Sequence, residues 1–224
     1  MAKLVLVPVP IGNLKDITLR AIEILNSCDL VICEDTRVTS RLLSHYEIKK
    51  KLISFNVVNE HKILNNLMQQ ISENELTCLV SDAGTPAISD PGFLLVRECI
   101  KEGINVECLP GPTAFVPALI QSGFGMHSFV FDGFLPHKKG KQTRIKALVN
   151  ENRTTIFYES PHRLRNTLQM MFEILGPDRK ICVCRELTKM FEETFRGTTE
   201  EVLKHFSEKE VKGEIVIIVE GNEI

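Results

Sequence analysis

The segment best suited to chemistry is the dodecapeptide SDAGTPAISDPG at residues 81–92, which follows an apolar run at 76–80. Its carboxylates and hydroxyls supply polar groups, and its glycines permit close approach of a ligand to the backbone. A plain strand-to-helix connection needs only about two to six residues, and small-molecule sites of open α/β sheets lie beyond the carboxyl ends of strands. The segment therefore predicts a ligand site at a strand end. The alternative is a structural turn, and we expect Asp90 and Pro91 to be the N-cap and first residue of the next helix.

Charged clusters follow other apolar runs: EDTR at 34–37, ESPHR at 159–163 and RELTK at 185–189. Carboxylates and imidazoles can transfer protons, and arginine can bind an anion through paired hydrogen bonds. The alternative is that Ser160 and Pro161 only begin a helix and that the charges form surface ion pairs, which contribute little to stability. Because the last two clusters are similar and follow successive strands, we favour a functional role.

Residues 136–146, PHKKGKQTRIK, form a basic segment with five lysines and arginines and no acid. Such a run can neutralise several phosphates. Cations at the start of a helix oppose the helix dipole, so an external anion explains them better than a solvated helix start does. The residues that we expect to contact phosphate are Lys138, Lys139, Lys141, Arg144 and Lys146.

Short apolar strands alternate with amphipathic helices in the first half of the chain, which predicts a mostly parallel sheet covered by helices. A change in composition near residues 121–125 marks a boundary, so we predict one α/β domain at 1–120 and a second at 121–224. Several near-adjacent strands in the second half favour a mixed sheet there. The strands predicted in the first half lie at 4–9, 29–33, 52–55, 76–80 and 106–109.

The composition excludes several classes of protein. The chain has 224 residues, 43% of them hydrophobic, and a net charge of −2, so any nucleic-acid contact must come from a local patch. No apolar run reaches the roughly 18 residues of a membrane span, and the amino terminus does not resemble a signal peptide. The seven cysteines are odd in number and lie mostly in apolar segments, which favours reduced thiols in a cytoplasmic protein. The sequence also lacks a phosphate-binding P-loop, a dinucleotide-binding glycine motif, a nucleophile elbow and any metal-ligand spacing.

Eight motifs occur in this order along the chain: PVPIGNL at 8–14, EDTR at 34–37, the segment 81–92, LPGPTA at 109–114, GFLP at 133–136, FYESPHR at 157–163, CRELTK at 184–189 and GEIVIIVEG at 213–221. Together they closely resemble the RsmI family of 16S rRNA 2′-O-ribose methyltransferases, which has the tetrapyrrole methylase fold. The sequence GTP at residues 84–86 replaces the Gly-Asp-Pro common in tetrapyrrole relatives, which favours the RNA branch. The chain departs from the family pattern at 56–61 and lacks the carboxyl-terminal segment of many members.

The resemblance implies two α/β domains with S-adenosylmethionine (SAM) in the cleft between them, and a homodimer. It implies methylation of the ribose 2′-oxygen of the decoding-centre cytidine 1402 in 16S rRNA, with no metal. By position, the residues matching SAM contacts are Pro10, Ala83, Thr85, Ile88, Thr113, Ala114, Tyr158 and Leu187, and we add Asp82 as the loop carboxylate to test.

Methyl transfer from a sulfonium to a hydroxyl is an in-line displacement that depends on positioning and on a proton acceptor. We hypothesise that Glu34, Glu159 or Glu186 takes the proton and that an arginine holds a phosphate beside the ribose. Two alternatives stay open: a small-molecule (tetrapyrrole) methyltransferase, and a non-catalytic assembly factor that binds rRNA. The residues assigned to catalysis are Glu34, Arg37, Glu159, His162, Arg163, Arg185, Glu186 and Lys189.

Overall fold

The computed structural model describes residues 2–56, 60–137 and 139–222. It divides into two compact units, Met1–Thr113 and Ala114–Ile224. The change in composition predicts this boundary after residue 120. Helix α5 (Phe115–Ser122) belongs with the second unit because the backbone carbonyl of its Gln121 accepts a hydrogen bond of 2.7 Å from Arg196.

The first unit is built on a sheet of five strands that all run parallel, in the order β3-β2-β4-β1-β5. Parallel pairing brings the carboxyl ends of all five strands to one edge, and the polar loops that the sequence singled out leave from that edge. The strands are β1 (Lys3–Leu6), β2 (Leu30–Cys33), β3 (Lys51–Ser54), β4 (Leu76–Val80) and β5 (Asn105–Cys108).

Helices cover both faces of this sheet, which explains why its central strands are mostly apolar and buried. Alternate residues of β1 face opposite sides: Val5 packs in one core cluster and Leu4 and Leu6 in the other. Thr18 caps α1 by accepting a hydrogen bond from the Ala21 N–H at 3.1 Å. The helices are α1 (Leu19–Ser27), α2 (Thr36–His45), α3 (Glu60–Glu73) and α4 (Phe93–Lys101), with a 3₁₀ turn at Leu14–Asp16.

Two features of the first unit differ from the sequence predictions. Helix α4 begins at Phe93 with Gly92 as N-cap, so the assignment of Asp90 and Pro91 to its start is wrong. The physical reason is that Ala87 and Ser89 adopt positive φ angles of 67° and 64°, which keep the chain in turns until Gly92. Helix α2 had not been predicted, although Asp35 caps it in the usual way by accepting from the Arg37 N–H at 2.8 Å.

The second unit is built on a mixed sheet in the order β6-β7-β10-β8-β9. Strands β6 and β7 run parallel, and the other three pairings are antiparallel. Strand β10 lies at the centre and is buried along its whole length. The elements after α5 are β6 (Phe129–Phe134), α6 (Lys141–Ala147), β7 (Thr154–Glu159), α7 (Pro161–Leu175), β8 (Lys180–Arg185), β9 (Glu193–Thr198), α8 (Thr199–Ser207) and β10 (Ile215–Val219).

No helix in the part of the chain that the structure describes combines the length and apolar character needed to span a membrane. Within the same residues, no group of three or more histidine, cysteine or acidic side chains could hold a metal ion.

The loop after β5 passes close to the end of β1, which generates a test of the fold. A Cβ added at Gly111 would lie 2.6 Å from the Cβ of Pro8, so Gly111→Ala should destabilise the protein by about 1–3 kcal/mol through overpacking. Urea unfolding followed by circular dichroism measures this. The matched control is Gly125→Ala, whose new Cβ would meet only Thr154 Oγ1 at 4.0 Å. Equal stability of the two variants would contradict the close approach.

Candidate functional site

Three loops at the carboxyl edge of the first sheet are joined by hydrogen bonds. The backbones of Val9 and Gly84 exchange two hydrogen bonds of 2.9 Å, and Gly84 has a φ of +75°, a conformation that favours glycine. The Thr85 hydroxyl lies 3.0 Å from the Pro112 carbonyl oxygen and 2.6 Å from the Thr113 hydroxyl. The loops after β1, β4 and β5 therefore form one surface at this edge.

Glu34 and Asp82 connect the loop after β2 to the same surface. The Asp35 N–H donates to Asp82 Oδ1 at 3.0 Å, and in return the Asp82 N–H faces the Glu34 carboxylate and lowers its pKa. The net pKa of Glu34 is nevertheless raised, because partial burial and the nearby charge of Asp82 outweigh that hydrogen bond. Burial likewise raises the pKa of Asp82. A half-buried carboxylate with a raised pKa beside a loop site is suited to accept a proton.

Arg37 and Asp35 form an ion pair beside this carboxylate pair. Arg37 Nη2 lies 2.6 Å from Asp35 Oδ2, and the Arg37 side chain is 83% exposed. Hydrogen bonds from Arg37 lower the pKa of Asp35 to about 2. Asp35 belongs to the charged cluster that the sequence singles out at 34–37, and it is the N-cap of α2.

The residues matched to SAM contacts fall in both units. In the first unit the side chains of Pro10, Ala83, Thr85 and Thr113 are half-buried, and those of Asp82 and Ile88 are exposed at the same edge. In the second unit Ala114 and Tyr158 are half-buried, whereas the Leu187 side chain is only 6% exposed. Positive φ angles at the residues on either side of Leu187, Glu186 (52°) and Thr188 (67°), hold it in a tight turn.

Glu159 lies at the end of β7 and is buried, with no exposed side-chain surface. Its Oε1 accepts from the Ser160 N–H at 2.8 Å and lies 3.2 Å from Arg163 Nε. Its Oε2 accepts from the Thr167 hydroxyl at 2.6 Å and lies 3.8 Å from Lys141 Nζ. Both oxygens are occupied by partners inside the unit, so the geometry fits a positioning role better than proton transfer to a substrate.

The buried network around Glu159 contains Arg163, which the sequence predicts as a site residue, and Thr167, which it does not. Arg163 donates to the carbonyl oxygens of Leu135 and Pro136 at 2.6 and 3.0 Å, so it braces the chain after β6. Thr167 had no assigned role, yet its hydroxyl accepts a hydrogen bond of 2.5 Å from Lys141 Nζ. The only sequence sign of Thr167 was its position one helical turn after Arg163.

The cluster after β8 also makes internal contacts. Lys189 Nζ lies 2.8 Å from Glu186 Oε1 and 2.7 Å from Glu214 Oε2. Burial on its own would raise the pKa of Glu186. Hydrogen bonds from Lys189 and from the Glu214 N–H outweigh this effect, so the net pKa is lowered. Arg185 Nε lies 3.2 Å from Glu193 Oε2.

The missing side chain of Gly213 leaves the space that Glu186 occupies, since a Cβ there would lie 2.2 Å from the Glu186 carboxyl carbon. By contrast, His162 is exposed in the first turn of α7. Of the catalytic assignments in the second unit, His162 is therefore the one most open to solvent.

The prediction that every cation of the basic segment contacts phosphate is wrong for Lys141. Lys141 is only 5% exposed and pairs with Glu159, so it cannot contact an external phosphate. Burial lowers the pKa of Lys141. Arg144 is exposed but lies 3.2 Å from Asp132 Oδ1, and Lys138 lies outside the described residues. The helix-dipole argument predicts an external anion for these cations. For Lys141 the anion is instead the internal carboxylate of Glu159.

The buried ion pair generates a stability prediction. Glu159→Gln leaves two cations facing a neutral amide, and removing one partner of a buried pair costs about 3–5 kcal/mol of unfolding free energy. Lys141→Met costs less, because Arg163 and Thr167 still hold the carboxylate. In the double variant the second substitution should add less than it does alone, which urea unfolding of all four proteins measures. Strictly additive losses would show that the two groups do not interact.

Comparison with known proteins places the chain in a family. A family model of tetrapyrrole (corrin/porphyrin) methylases matches residues 3–203. A Thermotoga maritima protein named ribosomal RNA small subunit methyltransferase I is 47% identical over 223 residues, and the match covers 100% of both chains. Proteins of the same name from Halalkalibacterium halodurans and Escherichia coli O157:H7 are 49% and 45% identical. Each match covers 98% of this chain, and 76% and 78% of the relative.

Solved structures with low sequence identity share the fold. The cobalt precorrin-4 methyltransferase of cobalamin biosynthesis superposes with a TM-score of 0.73 at 14% identity, over 97% of this chain and 94% of that chain. Uroporphyrin-III-C-methyltransferase from Thermus thermophilus has a TM-score of 0.68 at 18% identity, with the same two coverages. The chain therefore has the tetrapyrrole methylase fold and belongs to the tetrapyrrole methylase family, in the group of ribosomal RNA small subunit methyltransferases I.

Proposed function

We propose that this protein uses SAM to methylate the ribose 2′-oxygen of cytidine 1402 in 16S rRNA. The observation that carries the proposal is the 47% identity along the full length of a relative named as a small-subunit rRNA methyltransferase. A cytoplasmic homodimer stays a prediction from the family resemblance.

The carboxyl edge of the first sheet fits SAM by the chemistry of its residues. Small half-buried side chains at Ala83, Thr85 and Thr113 leave room for a ligand, and Ile88, at 37% exposure, offers an apolar contact for an adenine ring. The carboxylate of Asp82 complements a positively charged sulfonium. We assign this edge to the cofactor. When bound, SAM supplies an activated methyl group.

Glu34 is our choice for the proton acceptor among the three carboxylates assigned in the sequence. Its pKa is raised by burial and by Asp82, which makes the carboxylate a stronger base. Glu159 is enclosed by its partners, and the hydrogen bonds to Glu186 lower the pKa of that carboxyl group. The Asp82 carboxylate also accepts the hydrogen bond from the Asp35 N–H, and its negative charge raises the pKa of Glu34.

Second-unit residues divide into two roles under this proposal. Glu159 and Arg163 position the chain after β6 through the hydrogen bonds described above. His162, Arg185 and Lys189, which the sequence analysis assigns to catalysis, are here assigned to binding of the RNA substrate, because imidazole, guanidinium and ammonium groups can donate to phosphate oxygens.

A direct test separates the proposal from its alternatives. Purified protein is titrated with SAM by calorimetry, and 2′-O-methyl groups are mapped on 16S rRNA from a deletion strain before and after incubation with protein and SAM. Binding of SAM together with methylation of cytidine 1402 is the expected result. RNA binding without SAM binding would indicate an assembly factor, and SAM binding without rRNA methylation would favour a small-molecule substrate.

The base assignment predicts a pH profile. Because Glu34 must be ionised to accept a proton, kcat/KM for methylation should rise with pH through its raised pKa. Asp82→Asn removes the neighbouring negative charge and should move this acid limb to lower pH. Glu34→Gln should reduce methylation by about 10²–10⁴-fold while SAM affinity persists. The control is Glu23→Gln, an exposed residue of α1. Wild-type transfer by Glu34→Gln would contradict the assignment.

The exposure of the lysines in the basic segment predicts how RNA binding by each variant depends on salt concentration. Lys139 and Lys146 are exposed, so Lys139→Gln and Lys146→Gln should each reduce the slope of log K against log salt for an rRNA fragment by about 0.7, the loss of one single-strand phosphate contact. Lys141→Met should leave the slope unchanged, because a buried ammonium neutralises no phosphate. A reduced slope for Lys141→Met would show that this lysine reaches the RNA.

A further inference from the structure

A row of aromatic side chains in the second unit ends at an exposed ring, that of Phe134. Ring centroids lie 4.6 Å apart for Phe115 and Phe131, 5.1 Å for Phe131 and Tyr158, and 5.5 Å for Tyr158 and Phe134. The first three side chains are half-buried, whereas Phe134 is 54% exposed. The ring thus packs against Tyr158 at an interplanar angle of 61° while much of its surface is open to solvent.

A β-bulge puts Phe134 in this row. Phe131 pairs with Ile156 and Phe134 with Tyr158, so β6 advances three residues while β7 advances two. Gly133 has a φ of +62° at this irregularity. In regular alternation Phe131 and Phe134 would face opposite sides of the sheet. The inserted residue turns both to the same side, as bulges near functional sites often do.

The backbone after Phe134 is held rigidly. Leu135 is 2% exposed, and the carbonyl oxygens of Leu135 and Pro136 both accept hydrogen bonds from Arg163. Arg163 is in turn held by the buried carboxylate of Glu159 at 3.2 Å. An exposed aromatic ring on a fixed backbone loses little conformational entropy when a ligand binds.

The segment that follows Phe134 carries exposed cations. The 3.2 Å pair between Arg144 and Asp132 places α6 beside β6. Lys139 and Lys146 are exposed, and among the described residues neither takes part in an ion pair. Exposed aromatic rings with neighbouring cations are the usual arrangement for single-stranded nucleic acids, where bases stack and cations contact phosphates.

We propose that Phe134 is a stacking platform for an unpaired base of the RNA substrate. The inference rests on the proposed function and names one way in which the substrate is held. We assign the ring to an RNA base and not to the adenine of SAM, because RNA carries the phosphates that Lys139 and Lys146 would meet, whereas SAM carries none.

Tryptophan fluorescence tests the proposal, since the chain contains no tryptophan. Phe134→Trp introduces a single fluorophore at the proposed platform. A short single-stranded oligoribonucleotide with the decoding-centre sequence should quench its emission, and SAM alone should not. Ile100→Trp is the control, because Ile100 is 63% exposed near the end of α4, just before β5 begins. It lies away from every residue assigned to the RNA or to SAM and should not respond. Quenching by SAM alone, or no quenching by the oligoribonucleotide, would overturn the proposal.

A substitution series keeps the test valid if the tryptophan variant does not fold. Phe134→Tyr retains an aromatic face and should keep the wild-type Kd for the oligoribonucleotide. Phe134→Leu is apolar without a π face and should raise that Kd on the order of tenfold, with the Kd for SAM unchanged. Wild-type RNA affinity in Phe134→Leu would refute stacking.

The series also separates this inference from the proposed function. If wild-type protein leaves small-subunit rRNA unmethylated, the proposed function fails, while the quenching experiment still decides whether Phe134 stacks on RNA bases. If methylation proceeds and Phe134→Leu binds RNA normally, only the stacking inference fails.

Discussion

The burial of the Glu159 carboxylate is the constraint on which the arrangement of α6, α7 and the chain after β6 depends. An ion withdrawn from water costs several kcal/mol unless partners replace the lost hydration. Here the replacement comes from Lys141, Thr167, Arg163 and the Ser160 N–H. Lys141 lies at the start of α6, Ser160 and Arg163 at the start of α7, and Thr167 one turn further along α7. One charge therefore holds both helices against the end of β7. Arg163 extends the same network to the carbonyls that follow Phe134.

In the first unit the corresponding constraint is the parallel pairing of the strands. Because the carboxyl ends share one edge, loops that are far apart in sequence become neighbours. The reciprocal contacts of Asp82 with Asp35 and Glu34 depend on β2 and β4 being adjacent in the sheet. The raised pKa of Glu34 follows from this adjacency, since neither burial nor the charge of Asp82 would act on it in an extended chain.

The fold alone does not select a substrate. The solved structures that superpose well are named as methyltransferases of cobalt precorrin-4 and uroporphyrin III, and they share only 14% and 18% identity with this chain. A shared fold can serve different substrates, so the choice must lie in particular side chains. The exposed cations Lys139 and Lys146 and the ring of Phe134 are the features of the second unit that favour RNA. Phe134 ends β6, Lys139 precedes α6 and Lys146 lies within it. The buried charge network holds the start of α6 and the chain after β6 in place.

The sequence by itself determined the alternation of strands and helices, the polar loops at the strand ends and the family. Apolar periodicity and turn residues are local properties, and this is why β4 has the predicted bounds of Leu76–Val80. It did not determine which charges face solvent. Lys141 and Lys146 look alike in the basic segment, yet one is buried against Glu159 and the other is exposed. Likewise, the bulge at Gly133 that aligns Phe134 with Phe131 depends on pairing with β7. Ion pairing and side-chain direction arise between segments distant in sequence, so only the tertiary structure decided them.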